Sequence, residues 1–461
     1  MLFSTPFFLF VFLPLFFALY GFVPARRGIL LAGSVVFYGW GEPVFLLVVI
    51  LSALFDWCLG WQIAKRGPHA KALVALGVAS NVGLLVYAKY TVFAVANLNA
   101  LLTANGWTAW PLPQIALPLG VSFIVFEKIT YLVDLYRKVA PPAQSLLDYL
   151  NYVFLFPKLL AGPIVKYHDI ADQLSRPTHR YEDVREGLIR FVRGLAKKVI
   201  IADSLAPVVD QVFALQPTAL SPSAAWLGLS CFTLQIFFDF SGYSDMAIGM
   251  ARILGFRLLE NFRDPYLATS FTDFWRRWHI SLSSWIKEYL YIPLGGNRLS
   301  TTRTYLNLCL CFLLCGLWHG ASWNFVIWGG IHGIALVVDR AFWLRISERL
   351  PRAFNIALTF TGISLTWVFF RCATVQHAVS FMGALSGAAA TQPNDVFLRA
   401  DTAVTLLAGA VLIALPLLRV PHQLVATRSR TPALACCLLL LIFSVGRITV
   451  NSFQPFLYFR F

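Results

Sequence analysis

Between Arg303 and Asp339 the chain carries no Asp, Glu, Lys or Arg, and His319 lies in the middle of that stretch. An ionisable side chain in an uncharged, apolar run is costly to place there, which makes His319 a functional candidate by default. Composition generalises the point. Hydrophobic residues make up 58% of the 461 residues and charged ones 13%, about half the charged share of soluble domains. Forty Phe, 14 Trp and 16 Tyr fit a polytopic membrane protein with aromatic belts. The net charge of +15 reads as positive-inside loops, since no basic run is interleaved with aromatics as a nucleic-acid surface requires. Most of the eight cysteines fall in apolar runs without Cys/His metal spacing, so no metal site and no disulfide framework is expected.

Read in order, Leu2 to Val23 is long enough to span, and Arg26-Arg27 follow it directly. That asymmetry places the N-terminus outside and the Arg pair inside. With no basic residue before it and no cleavage-site flank, the stretch reads as a retained helix and not a signal peptide. Further helices are expected at 29–40, 44–63, 72–96 and 115–136, with 97–113 as an outer loop. Residues 149–169 are apolar but broken by Pro157, Lys158, Gly162 and Pro163, which predicts a discontinuous or re-entrant element. The basic region from Lys166 to Lys198 reads as a cytoplasmic loop with a surface helix on anionic lipid, or as a docking surface for an acidic partner or phosphates. Helices at 199–213, 226–253, 325–338, 354–370, 403–418 and 434–450, with basic loops at 340–352 and 419–430, complete roughly 11 to 13 membrane-embedded segments. The expected fold class is an all-α polytopic membrane protein forming a single domain, 1–461, with its catalytic core at about 224–343.

Residues 271–290 carry helical periodicity. Trp275, Trp278, His279, Leu282, Trp285 and Ile286 share one face, while Asp273, Arg276, Arg277 and Lys287 fall on the other. Thr272 is the expected N-cap, and Pro293 with Gly295-Gly296 ends the segment. Tryptophans facing arginines describe an interfacial helix with His279 on its apolar side.

His319 is the strongest candidate for chemistry. A buried imidazole is neutral at cytoplasmic pH and ready to accept a proton from an attacking hydroxyl. Trp318 and Trp323 flank it, and Gly316 and Gly320 permit close backbone approach. The alternative is a core histidine bonded to a carbonyl. His332, 13 residues on, points away from His319 on an unbroken helix, so packing is its default role. Cys315, four residues before His319, has the spacing of a nucleophile with its base, although Cys309 and Cys311 nearby suggest use as a small apolar residue. Asp239 and Asp245 are six apart, a poor spacing for one helical face, and suit a buried hydrogen-bonding cluster or chamber lining, together with Tyr243. Trp275, Trp278, Trp318 and Asn324 are further lining candidates.

The stretches Glu260–Tyr266, Asp273–Ser283, Tyr289–Arg298 and Leu317-Trp318-His319-Gly320 together resemble the membrane-bound O-acyltransferase family, in its bacterial alginate O-acetylation and teichoic-acid D-alanyl transfer branch. Gly120–Phe123, Phe156-Pro157, Ala161–Pro163, Asp239–Asp245 and the closing Tyr458–Phe461 fit the alginate-type pattern. The resemblance covers essentially the whole chain. It departs at Cys315-Gly316, where Gly-Gly is commoner. It implies a curved bundle with re-entrant and interfacial helices around a central tunnel, and carries the two family histidines onto His279 and His319, with His319 catalytic. It also implies a cytoplasmic thioester donor, acetyl-CoA or another acyl thioester, with no tightly bound cofactor. Beyond the lipid bilayer, the implied partners are a periplasmic SGNH-like acetyltransferase or acetyl-relay protein and a polysaccharide synthesis or export complex, at the bacterial inner membrane. No nucleic-acid partner is expected. Transfer of D-alanyl or another acyl group remains open, as does a transporter or scaffold role.

Overall fold

The computed structural model describes residues 1–216, 219–388, 396, 398–418, 430–450 and 454–457, with side chains at 430–433 excepted. Among the described residues the regular structure is helical, with no β-strand. Among the described residues six helices are long and apolar enough to cross a membrane: Pro43–Ala64, Ala70–Ala104, Pro222–Ile253, Trp323–Ser347, Arg352–Arg371 and Ala400–Leu417. Phe8–Phe22 and Leu434–Val450 are shorter apolar helices. The chain is therefore an all-α, multi-pass membrane protein. The expected loop at 97–113 is helical to Ala104, with Asn97 and Thr103 donating from their side chains to carbonyls four residues back. The basic loop at 419–429 and the Tyr458–Phe461 motif lie outside the described residues.

The residues group into two compact units, Met1–Leu188 with Ala247–Leu259, and Ile189–Met246 with Glu260–Phe461. The first is built on an aromatic cluster: Phe8, Phe12, Phe16 and Phe37 each lie with ring centroids within 6.5 Å of Phe156. Beside it sit buried charges. Lys128 pairs with Asp56 at 3.1 Å, and Asn81 donates to the same carboxylate. Lys158 pairs with Glu127, whose other oxygen accepts the Val165 N–H. The expected discontinuous element is present as Leu146–Phe154, Phe156–Leu159 and Tyr167–Ser175. Its interrupted backbone is satisfied from neighbouring helices, by Ser34 at Phe156, Glu127 at Val165 and Thr130 at Tyr167, which is how a broken helix is tolerated in apolar surroundings.

In the second unit, helix Thr301–His319 packs closely on Trp323–Val338. A Cβ on Gly316 would come 2.1 Å from the Phe325 carbonyl oxygen, and one on Gly329 would come 2.3 Å from that of Phe312. Small residues thus let two backbones touch. This contact fixes the end of the first helix, where His319 sits. Much of the basic region proves to be internally paired. Arg190 binds Asp245 and Glu260, Lys197 binds Asp245, and Lys198 binds Asp203 and Asp239. These cations neutralise carboxylates within the unit and are not free for lipid headgroups.

The expected continuous helix over 271–290 is broken. Phe271–Arg277 and Ile280–Ile286 are separate helices, with His279 between them at φ +44°. The segment around Asn261 takes over the orphaned backbone groups: Ile280 N–H donates to the Asn261 carbonyl at 2.9 Å, and Arg263 N–H to that of Arg277 at 2.9 Å. The N-cap is Ser270 and not Thr272, with the Ser270 hydroxyl accepting the Asp273 N–H at 3.0 Å and the Asp273 carboxylate accepting the Thr269 N–H.

Candidate active site

His319 is the last residue of its helix and is 5% exposed. Its ring is held edge-on by Trp318, Trp328 and Phe370, at centroid distances of 5.0, 5.1 and 5.3 Å. It lines a small cavity of about 20 Å³ together with Asp239, Phe240, Trp278, Phe456 and Leu457, among others. The walls are mostly aromatic, and a cavity of this size has room for about one water.

His279 is fully buried. Its ring meets Phe240 edge-on at 4.6 Å and Trp318 at 6.1 Å. Trp318 therefore touches both histidines, and Phe240 lines the His319 cavity. The αL backbone at His279, unfavourable for a residue with a Cβ, is held by the helix break. The periodicity of 271–290 placed His279 on an apolar face; the break instead delivers it to this cluster.

The other sequence candidates separate. Trp278 and Asp239 line the cavity with His319. Asp239 pairs with Lys198 at 2.7 Å and accepts the Leu457 N–H at 2.7 Å. Tyr243 is buried against Phe456. Asp245 lies in the cluster with Arg190 and Lys197. Trp275 donates its indole N–H to His332 Nδ1 at 3.1 Å, and His332 Nε2 contacts Thr366 Oγ1 at 3.1 Å. His332 is thus engaged through both nitrogens, and the Trp275 indole is spent on it and not on a reacting oxyanion. Asn324 donates to the Cys372 carbonyl at 2.5 Å, tying two helices together. Cys315 faces a second cavity.

That second cavity, of about 350 Å³, has an apolar wall including Trp275, Phe312, Cys315 and Leu336, and three exposed cations, Arg276, Lys287 and Arg340. Among the described residues none of the three is paired with a carboxylate. Neighbours that sequence reasoning did not single out are Asn261, Trp328, Trp367, Phe370, Phe456 and Lys198. Only Asn261 had a signal, its place within the Glu260–Tyr266 motif.

Residues 137–375 match the pattern described as MBOAT, membrane-bound O-acyltransferase family. A probable alginate O-acetylase AlgI of Azotobacter vinelandii is 41% identical over the whole of both chains. The chain belongs to the membrane-bound O-acyltransferase family. It is accordingly a multi-pass membrane acyltransferase. A peptidoglycan O-acetyltransferase of Helicobacter pylori is 37% identical over 84% of this chain and 80% of that one. A teichoic acid D-alanyltransferase of Streptococcus thermophilus is more distant, 26% identical over 55% and 68%. The matched span of the O-acyltransferase pattern contains both histidines and both cavities' principal walls, apart from Phe456 and Leu457.

Proposed function

We propose that this acyltransferase moves an acetyl group from a cytoplasmic thioester donor, through or across the membrane, for O-acetylation of a secreted exopolysaccharide of alginate type. The observation that carries the reading is His319, buried at a helix end, caged by three aromatic rings and lining a small, mostly aromatic cavity. The alginate O-acetylase and peptidoglycan O-acetyltransferase relatives support the acetyl group and a cell-envelope polysaccharide as its destination.

In the proposed reaction His319 acts as general base. It takes the proton of an acceptor hydroxyl as that oxygen attacks the thioester carbonyl carbon. The new C–O ester bond forms, the C–S bond breaks, and the imidazolium returns the proton to the departing thiolate. Water-excluding walls keep the thioester from hydrolysis. The larger cavity suits the donor, such as acetyl-CoA: Arg276, Lys287 and Arg340 supply positive charge for phosphates at the rim, and the apolar wall accepts a thin chain. The hydroxyl belongs either to the polymer or to a periplasmic SGNH-like acetyltransferase that relays the group, at the inner membrane. Lipid surrounds the apolar faces, and a polysaccharide synthesis or export complex is the natural setting.

The test is the O-acetyl content of the secreted polymer with His319→Ala at matched protein levels. Loss of acetylation by about 10²-fold or more is expected for removal of a general base; wild-type content would end the proposal. Profiling acetyl against D-alanyl thioesters with purified protein separates this reading from D-alanyl transfer.

A further inference from the structure

The hydrogen bonds around Asn261 determine which nitrogen of His279 carries a proton. The Ser281 backbone N–H can only donate, and it lies 3.2 Å from Asn261 Oδ1; the Ser281 hydroxyl donates to the same oxygen at 2.9 Å. The other end of the amide, Nδ2, donates to Ser244 Oγ at 3.2 Å. The amide orientation is therefore set by its neighbours, with oxygen towards the histidine. His279 Nδ1 lies 3.1 Å from that oxygen, which has no hydrogen to give. Nδ1 must be the donor. A neutral imidazole has one N–H, so Nε2 is left as a bare lone pair.

Two further facts sharpen this. His279 is 0% exposed, and its Nε2 has no hydrogen-bond partner among the described residues. A buried acceptor left unmade costs about 1–3 kcal/mol of desolvation, which a donor reaching it would offset. Burial also pushes the imidazole down from 6.5 to about 3, which leaves the ring neutral throughout the physiological range. The ring is locked by the Phe240 edge contact and by the Ile280 N–H bond to the Asn261 carbonyl, so it does not exchange its two nitrogens.

We infer that Asn261 is a positioning residue that holds His279 in the Nδ1–H tautomer, so that Nε2 accepts a hydrogen bond from a substrate donor other than the O–H whose proton passes to His319. The inference rests on the proposed acetyl transfer and assigns His279 a sign within it. A neutral Nε2 without hydrogen cannot stabilise an oxyanion. His279 therefore holds a second donor of the acceptor, and serves neither the proton that His319 takes nor the carbonyl being attacked. A partner of Nε2 must accordingly have a hydrogen to donate, and an ether or ester oxygen is excluded by lone-pair repulsion.

Nitrogen NMR on histidine-labelled protein in detergent, with His279 assigned by comparison with His279→Gln, reads the tautomer without any activity assay. The expected result is protonated Nδ1 and bare Nε2 in the wild type and in Asn261→Asp, whose carboxylate also accepts the N–H. Asn261→Leu should lose the preference and reduce kcat by about tenfold or more, with a smaller change in KM, while Asn261→Asp retains most of kcat. Protonated Nε2 in the wild-type protein would overturn the inference even if His319→Ala abolished acetylation. Full activity in His279→Gln would overturn it as well, by removing the need for the acceptor, and would leave the His319 proposal standing.

Discussion

Gly329 shows how little space separates the two helices that aim His319. A methyl group there meets a backbone carbonyl that has no rotamer to escape into, whereas at Gly330 the nearest atom is the Leu313 Cδ2, 3.6 Å away. Adjacent glycines on one helix should therefore respond oppositely. Gly329→Ala is expected to cost about 1–3 kcal/mol through forced separation of the helices, and to depress activity by moving the imidazole. Gly330→Ala should be neutral or stabilising by up to about 1 kcal/mol, from helix propensity. Thermal unfolding in detergent distinguishes them, and equal effects would refute the packing argument. The same residue-level view explains what the sequence disclosed. His319 stood out because an ionisable side chain interrupts a run without charges, and that argument needs no coordinates. Asn261 did not, since its contact with His279 spans 18 residues and depends on a left-handed backbone that helical periodicity hides. Trp275 reads from the sequence as a lining residue, and its bond to His332 is a pairing across 57 residues.

At the level of elements, the broken segment at 149–169 was legible because Pro and Gly in an apolar run have few places to go. The break at His279 was not, because nothing in Trp278-His279-Ile280 forbids a helix; it is imposed by hydrogen bonds from the 261–263 segment. The buried pairs that knit the first unit were equally hidden. Asp56 and Lys128 sit on helices whose periodicity says only that both are inside, and only packing brings them within 3.1 Å. Removing one partner leaves the other charged and dry. Asp56→Leu should therefore destabilise the protein by about 3–5 kcal/mol, and Asp56→Leu with Lys128→Met should recover most of that loss. Melting of the single and double variants in detergent is the check; a double variant no better than the single would show that the pair is not acting as a unit.

Over the whole molecule, the net positive charge has two destinations that composition could not separate. Arg190, Lys197 and Lys198 neutralise internal carboxylates, while Arg276, Lys287 and Arg340 line an apolar cavity with no carboxylate partner among the described residues. If the rim receives donor phosphates, replacing any of the three by Ala should raise the donor KM several-fold and flatten its salt dependence, with kcat little altered. Initial-rate measurements across ionic strength test this, and an unchanged KM in all three variants would remove the cavity from the donor's path. The multi-pass helical class was evident from the sequence; the division into two compact units was not, since apolar runs look alike wherever their contacts lie. The cavity wall supplied by Phe456 and Leu457 has a practical corollary. Leu457 is moored to Asp239 through its backbone N–H, four residues before Phe461. Asp239 thereby joins two boundaries of the His319 cavity, its own and the one that Phe456 and Leu457 supply, so a change at that one carboxylate displaces both walls together.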